Sequence, residues 1–353
     1  MARARGVTRL ADVTGLDRLA LPVWQAVRPA GRSLSVHQGK GASHLDAALG
    51  ALCEAIECDC AETAQPDGPL CGLAALPEAE RAPRLGDYAH DRELPPPELV
   101  QWCIATDLLG GRTHYLPFEL IALDFTRIEA PWFARSSTGL AVAASEDGAV
   151  RTALWEVIER DAVGEWDRSS RDERLGTVLD VDTIPFAWFA EWRERFRELG
   201  VGLRVFAPAS PTGLPTLVVS IGAPGEFGTC YRRFSGTAAH GDPEISLFKA
   251  LAEAVQSRLT FIAGVRDDFL PSHYSAGPDT SAEAPALDGV RLRDWGEIEP
   301  GPGEWERTAE QLARLGYRQV VMKRLDRPED GLAAVKLFVP GLGSLRRRRR
   351  RPA

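Results

Sequence analysis

Five glutamates and one glutamine recur as pairs three residues apart: Glu54/Glu57, Glu156/Glu159 and Glu253/Gln256. Each pair sits in a heptapeptide of one pattern, Ala-Leu-x-Glu-(Ala/Val)-(Ile/Val)-(Glu/Gln), beginning at Ala51, Ala153 and Ala250. The copies start 102 and 97 residues apart. On a helix, a three-residue step puts both oxygen-bearing side chains on one face, and Leu and Ile/Val form an apolar stripe opposite. One such pair alone reads as a solvated helix face. Three copies sharing six patterned positions read instead as an acidic, oxygen-rich site that suits a hard cation such as Mg²⁺.

Cations follow the carboxylates closely. The second copy runs into Arg160-Asp161 and the third into Ser257-Arg258. Carboxylates that hold a metal, beside arginines that hold phosphate oxygens, make a metal–polyphosphate site. Lys40, between Gly39 and Gly41, either reaches a phosphate or marks a surface turn. The common phosphate and hydrolase motifs are absent: GxxxxGK(S/T), GxGxxG after a strand, a kinase-like set, HExxH and GxSxG.

The elements that must carry these residues follow from periodicity and caps. Residues 6–31 form a mixed helix/strand lead-in, and Ser33–His37 alternates like a strand. Gly39-Lys40-Gly41 reads as a flexible turn before a helix from about Ser43 to Ala61, with Ser43 as its N-cap. Residues 62–97, rich in Pro, Gly and charge, read as a surface excursion ending in Pro95-Pro96-Pro97. Strands are expected over Val100–Thr106 and Thr113–Ile121. Ser136–Leu140 is a polar turn into a second helix, about Ser145 to Ser170. Residues 202–206 and 215–221 pattern as a hairpin. The turn Thr237–Pro243 leads into the third helix, about Pro243 to Ala263, where Asp242 as N-cap and Pro243 at the first position make a strong start. After loop-rich residues 264–305, a helix near Glu304–Leu315 and strands over Arg318–Arg324 and Ala333–Pro340 close the pattern. The fold class is α+β, with mixed or antiparallel sheets and three acidic helices around one site.

Composition narrows the function classes. A chain of 353 residues, 44% hydrophobic and 26% charged, can bury a large core. No apolar run reaches the roughly 18–20 residues of a membrane helix, and no apolar segment of a secretory signal follows the basic start, so a cytoplasmic protein is expected. Six cysteines (53, 58, 60, 71, 103 and 230) show no CxxC spacing and no following histidine at zinc-finger distance, which reads as reduced thiols. Net charge is −8; Arg346–Arg351 carry +6, which leaves −14 on residues 1–345 and argues against nucleic-acid binding.

Taken together, three stretches resemble the YcaO family. The first is Gly39-Lys40-Gly41…Ala51-Leu52-x-Glu54-x-x-Glu57 and the second Ser137-Thr138-Gly139-Leu140…Glu156-Val157-Ile158-Glu159-Arg160-Asp161. The third is His240-x-Asp242-Pro243…Glu253-Ala254-x-Gln256-Ser257-Arg258…Arg266-Asp267-Asp268. The last stretch and the opening Thr8–Asp17 are similar to the branch found beside TfuA-type partners. The resemblance implies a YcaO-like fold over residues 33–340, with residues 1–32 as its lead-in and 341–353 as an Arg-rich, disordered tail. It implies ATP and Mg²⁺ as cofactors, with Glu54, Glu57, Glu156, Glu159 and Glu253 as metal ligands. Lys40, Arg160, Gln256 and Arg258 are implied ATP contacts, and Ser137 and Thr138 line the second turn. His240 is open between stabilising its turn and touching phosphate or substrate.

The implied reaction is ATP-dependent phosphorylation of a peptide-backbone amide oxygen, which turns a poor leaving group into a good one. External sulfide then gives a thioamide, the expected outcome with a TfuA-like partner. A Cys, Ser or Thr side chain of the substrate gives an azoline instead. A homodimer is left open. Three departures stand out. Gly50 replaces a frequent Ser, Thr138 replaces a frequent Asn, and a short Arg-rich tail replaces a Pro-rich carboxyl terminus. Gly50 and the tail favour a third reading, a non-catalytic peptide-binding protein with a degenerate site.

Overall fold

The computed structural model describes residues 2–88, 96–126, 132–223, 232–268, 270, 274, 287, 289–327 and 331–342. Cys230, Pro95 and the six arginines at 346–351, all singled out in the sequence, lie outside these.

Two units share one plan, a three-stranded antiparallel sheet followed by a long helix. In the first, β1 (Arg9–Asp12), β2 (Val23–Val27) and β3 (Val36–Lys40) pair in that order, and α1 (His44–Glu62) lies across them. The middle of the chain supplies β4 (Leu70–Cys71), β5 (Val100–Asp107), β6 (Arg112–Pro117), the short α2 (Phe118–Ile121), β7 (Leu140–Ala143), α3 (Glu146–Arg168), α4 (Arg171–Leu175) and α5 (Ala187–Glu198). The second three-stranded unit is β8 (Gly202–Phe206), β9 (Thr216–Ala223) and β10 (Arg232–Ala239), covered by α6 (Pro243–Ala263). The helix α7 (Trp305–Arg314) and the strands β11 (Val321–Arg324) and β12 (Ala333–Phe338) follow. β11 and β12 return to the middle and complete a six-stranded sheet, β4-β5-β11-β12-β7, with β6 on β5; α3 packs on β12 and β7. The class is α+β.

Local chemistry fixes where the three long helices begin. Ser43 Oγ accepts the Asp46 N–H (3.2 Å), Ser145 Oγ accepts the Gly148 N–H (3.2 Å) and Asp242 Oδ1 accepts the Glu244 N–H (2.8 Å). Each satisfies a helix donor left without an intrahelical partner. Two glycines let helices lie directly on strands. A β-carbon at Gly39 would stand 2.0 Å from Ala47 O and 2.1 Å from Ala51 N of α1. At Gly236 it would stand 2.2 Å from Ala250 O and 2.3 Å from Ala254 N of α6. Close backbone approach of this kind leaves room only for glycine.

Gly39-Lys40-Gly41 is therefore no flexible turn. Gly39 and Lys40 belong to β3 and pair with Trp24 and Val23. Thr237–Ala239 likewise lie in β10. Residues 118–121 form a helical turn where a strand was expected, because Pro117 ends the ladder of β6. α5 was not anticipated from the pattern, yet its Phe189 and Phe196 are fully buried against Val205, Leu217 and Leu251. Each such aromatic contributes about 1.5–3 kcal/mol of burial.

Buried ion pairs tie the first thirty residues to the rest. Arg5 Nη1 meets Asp59 Oδ2 at 2.6 Å, and Arg28 Nη2 meets Asp59 Oδ1 and Glu62 Oε2, each at 2.9 Å. Asp17 pairs with Arg258 of α6 at 2.9 Å. Among the described residues no helix is long and apolar enough to cross a membrane.

Candidate functional site

The three helices present their glutamates to one cavity of about 820 Å³ between the two three-stranded units and the six-stranded sheet. Glu54, Glu57, Glu156, Glu159, Glu253 and Gln256 all line it, together with Lys40, Ser137 and Arg160.

Each glutamate already accepts at least one hydrogen bond, and the pattern repeats. Glu54 Oε2 accepts the Gln38 N–H (2.7 Å), Glu156 Oε2 the Gly139 N–H (3.0 Å) and Glu253 Oε1 the Thr237 N–H (3.4 Å). In every case the donor lies 16 or 17 residues earlier, on the strand or turn ahead of the helix. The second glutamates reach into the next repeat. Glu57 Oε1 accepts the Val142 N–H (2.9 Å), and Glu159 Oε1 accepts the Thr237 hydroxyl (2.5 Å). These bonds aim the carboxylates and leave lone pairs free toward the cavity.

Burial pushes the carboxyls of Glu54, Glu57, Glu156 and Glu159 above the usual carboxylate range. Glu57 stands well above it, chiefly through burial, with Glu54 and Glu156 adding like charge. Glu253 is the exception. Burial raises it too, but Lys40 Nζ at 2.8 Å, with Arg160 near, brings it below its ordinary value. Arg160 Nη2 stands 3.6 Å from Glu156 and its Nε 3.9 Å from Glu159.

Several cavity residues were given no site role from the sequence. Lys249 lies one helical turn before Glu253, and its ammonium is held below its ordinary value by burial and by Lys40. Its spacing of four residues from Glu253 was the available signal. Arg266 lines the rim, bonded to Asp268 at 2.9 and 2.6 Å. Gln38, Thr237, Arg135 and Cys58 also line the walls. Burial lifts the Cys58 thiol to about 12, so it is no ready nucleophile.

Three residues named from the sequence lie outside the cavity lining. Arg258 does not line the cavity: its Nε and Nη2 bond Asp17 at 2.9 and 3.2 Å, and both side chains are almost fully buried. Two residues beyond Gln256, it falls some 200° round the helix. His240 stabilises its turn. Its Nδ1 accepts the Asp242 N–H at 2.9 Å, and its ring stands edge-on to Trp155 at 4.6 Å, outside the lining. Thr138 turns toward Ser136 Oγ (2.9 Å) and is not among the lining residues, whereas Ser137 is. Gly50, the departure that suggested a weakened first wall, packs on β3: its β-carbon would lie 3.3 Å from Gly39 Cα.

The donor set fits Mg²⁺. All five acidic side chains offer hard oxygen, and burial raises four of the five carboxyls, all but Glu253. Among the described residues, no three His, Cys, Asp or Glu side chains close on one point as a cage. Mg²⁺ suits such a site, since it commonly takes one or two carboxylates and fills its octahedron with phosphate oxygens and water.

Residues 38–343 match the sequence model of a family described as YcaO cyclodehydratase, ATP- and Mg²⁺-binding. The chain belongs to the YcaO family. ATP and Mg²⁺ are the cofactors that membership brings. A relative in Rhizobium leguminosarum bv. trifolii, an uncharacterized protein of the tfuA 3′ region, is 32% identical over 355 residues, covering 96% of this chain and 84% of that protein. YcaO from Methanopyrus kandleri, solved with AMPPCP and Mg²⁺, superposes with a TM-score of 0.70 at 20% identity, over 97% of this chain and 87% of that one. A heterocyclase solved with substrate and cofactor superposes at 0.68 and 21% identity; this chain is covered to 95% but spans only half the length of that protein. Identities this low establish a shared YcaO fold.

Proposed function

We propose that this chain activates a peptide-backbone amide with ATP and Mg²⁺, and that its product is a thioamide made with a TfuA-like partner. The observation that carries the reading is the cavity itself, in which three repeats aim five carboxylates at one space already holding Lys40, Arg160, Lys249 and Arg266. At about 820 Å³ it has the size of a nucleotide or drug-sized site. Glu54, Glu57, Glu156 and Glu159 are the metal-facing residues, and Glu253 joins them from the third wall. Lys40, Arg160, Lys249 and Arg266 supply donors to phosphate oxygens, with the Gln256 amide and Ser137 beside them. Bound Mg²⁺ would neutralise phosphate charge and polarise the transferred phosphoryl group.

Sulfide adds to the amide carbonyl carbon, the former carbonyl oxygen takes the γ-phosphoryl group, and that oxygen leaves as phosphate. Carbon keeps sulfur, and ATP becomes ADP. The protein's share is alignment and charge stabilisation. The tfuA-region relative supports the partner and hence the sulfur outcome. The family's description as a cyclodehydratase, and the heterocyclase likeness, favour a second reading, azoline formation from a substrate Cys, Ser or Thr.

Titration calorimetry tests the site. Mg²⁺-dependent ATP binding should weaken about tenfold in Glu253→Ala, roughly 1.4 kcal/mol. Unchanged affinity removes Glu253 from the nucleotide site. Mass spectrometry of a substrate peptide separates the products: a gain of about 16 Da marks oxygen-to-sulfur exchange and a loss of about 18 Da marks dehydration, both set by which nucleophile attacks. Absence of peptide-stimulated phosphate release would return the protein to a non-catalytic binding role.

A further inference from the structure

The three clamps that aim Glu54, Glu156 and Glu253 are not held equally. Gln38 and Thr237 donate from within strands, where Gln38 pairs with Gln25 and Thr237 with Val218. Gly139 donates from a turn just ahead of β7, with φ of +78° and the Leu140 N–H bonded back to Ser137 O (2.8 Å). A turn needs a further restraint to present one N–H reproducibly, and β12 supplies it. The Leu337 N–H donates to Gly139 O (2.7 Å), and Lys336, whose register partner is Leu140, is almost fully buried beneath the turn. Its Nζ donates to Ser136 O (2.5 Å) and to Thr138 O (2.7 Å).

We infer that Lys336 is a positioning residue: its ammonium bridges two carbonyls of the Ser136–Thr138 turn and so sets the Gly139 N–H that aims Glu156 into the cavity. A buried lysine is costly to keep, and an apolar side chain would suit this all-buried strand on packing grounds alone. Here two of its donors are spent on main-chain carbonyls rather than on a carboxylate partner. Burial lowers the ammonium to about 8, and Glu156 acts against that shift. The same cation in turn lowers the Glu156 carboxyl, although burial dominates there. Lys336 is thus tied to the second wall both by geometry and by charge, and it lies 177 residues beyond the heptapeptide that carries Glu159.

The consequence for nucleotide binding rests on the proposed role of Glu156, so the test has two arms. Amide hydrogen exchange on the full chain without nucleotide reads Gly139, Gln38 and Thr237 together. In Lys336→Met, Gly139 exchange should rise about tenfold while the other two clamps stay as in wild type. Lys336→Arg, which keeps a buried cationic donor, should restore most of the protection. Calorimetry then reads Mg²⁺-dependent ATP binding, expected to weaken about tenfold in Lys336→Met, about 1.4 kcal/mol. Unchanged Gly139 exchange in Lys336→Met, or equal loosening of all three clamps, overturns the inference. If wild type binds no ATP, the proposed function fails and the exchange arm still decides Lys336. Should Lys336→Met not fold, Lys336→Gln is read the same way, since its shorter amide cannot bridge both carbonyls, and wild-type exchange at Gly139 in it overturns the inference.

Discussion

Arg258 offers the sharpest separation between a nucleotide contact and a structural ion pair. Its guanidinium meets Asp17 through Nε at 2.9 Å and Nη2 at 3.2 Å, and the two side chains are 3% and 1% exposed. Removing one member of such a pair leaves an uncompensated buried charge, a cost of about 3–5 kcal/mol. At roughly 2 °C per kcal/mol, the lower end for large domains, Arg258→Met should melt about 6–10 °C below wild type. Pairing it with Asp17→Asn removes the stranded carboxylate and should recover about 1–3 kcal/mol, the coupling energy expected for contacting residues. Thermal melting of the four proteins gives that cycle. Calorimetry well below the lowered melting point then reads ATP affinity in the folded variant, which should stay within about threefold of wild type, under 1 kcal/mol. Arg258→Met that melts like wild type but binds ATP tenfold more weakly would refute the reasoning and return Arg258 to the nucleotide.

Two further changes probe the scaffold. Gly39→Ala drives a methyl group to 2.0 Å from Ala47 O, so α1 must lift from β3; a loss of about 1–3 kcal/mol or more is expected in urea unfolding. Gly15→Ala, where no atom lies within 4 Å of the new β-carbon, should change stability by less than about 0.5 kcal/mol. Equal behaviour of the two variants would count against the helix–strand contact. His37 and His114 are fully buried, and burial holds each at about 4, below its unfolded value of 6.5. Depressed folded values mean that the unfolded chain binds the proton first. The stability they contribute is complete above pH 6.5 and is lost as pH falls from there toward 4. Between pH 8 and pH 5 each should cost about 2 kcal/mol. His114→Gln should shrink that pH-dependent loss by its share in denaturant titrations, and an unaltered loss would dismiss His114 as its source.

Much of the cradle was legible because its parts repeat. Ser43, Asp242 and Pro243 announced helix starts from side-chain chemistry that acts within three residues, and the Glu/Gln pairs announced one face each. The failures share a cause in contacts made far along the chain. Gly39 looks like a turn residue, yet it is glycine because a helix backbone lies on it, as one does on Gly236, which is a tertiary fact. Lys336 carries no local signal at all: an isolated lysine in an apolar strand reads as an edge residue until the Ser136–Thr138 turn is seen above it. Arg258 is different, since helical geometry alone separates it from Glu253 and Gln256 and selects Lys249 instead. The arginine beside the motif was given more weight than the lysine on its face.

The distribution of charge gives the three walls different tasks. Lys40 is committed to Glu253, and Arg160 is shared between Glu156 and Glu159. Among the described residues no cation stands within ion-pair distance of Glu54 or Glu57, and their main-chain donors only partly offset burial. On the proposed function, a divalent cation entering this cavity would gain most where compensation is poorest, beside the first-wall pair. The third wall has the opposite balance. Gln256 replaces a second carboxylate there, Lys249 precedes Glu253 by one turn, and Lys40 faces it from β3. That wall is the better compensated of the two. The Lys40–Glu253 ion pair explains why Glu253 is the one glutamate of the five held below its ordinary value.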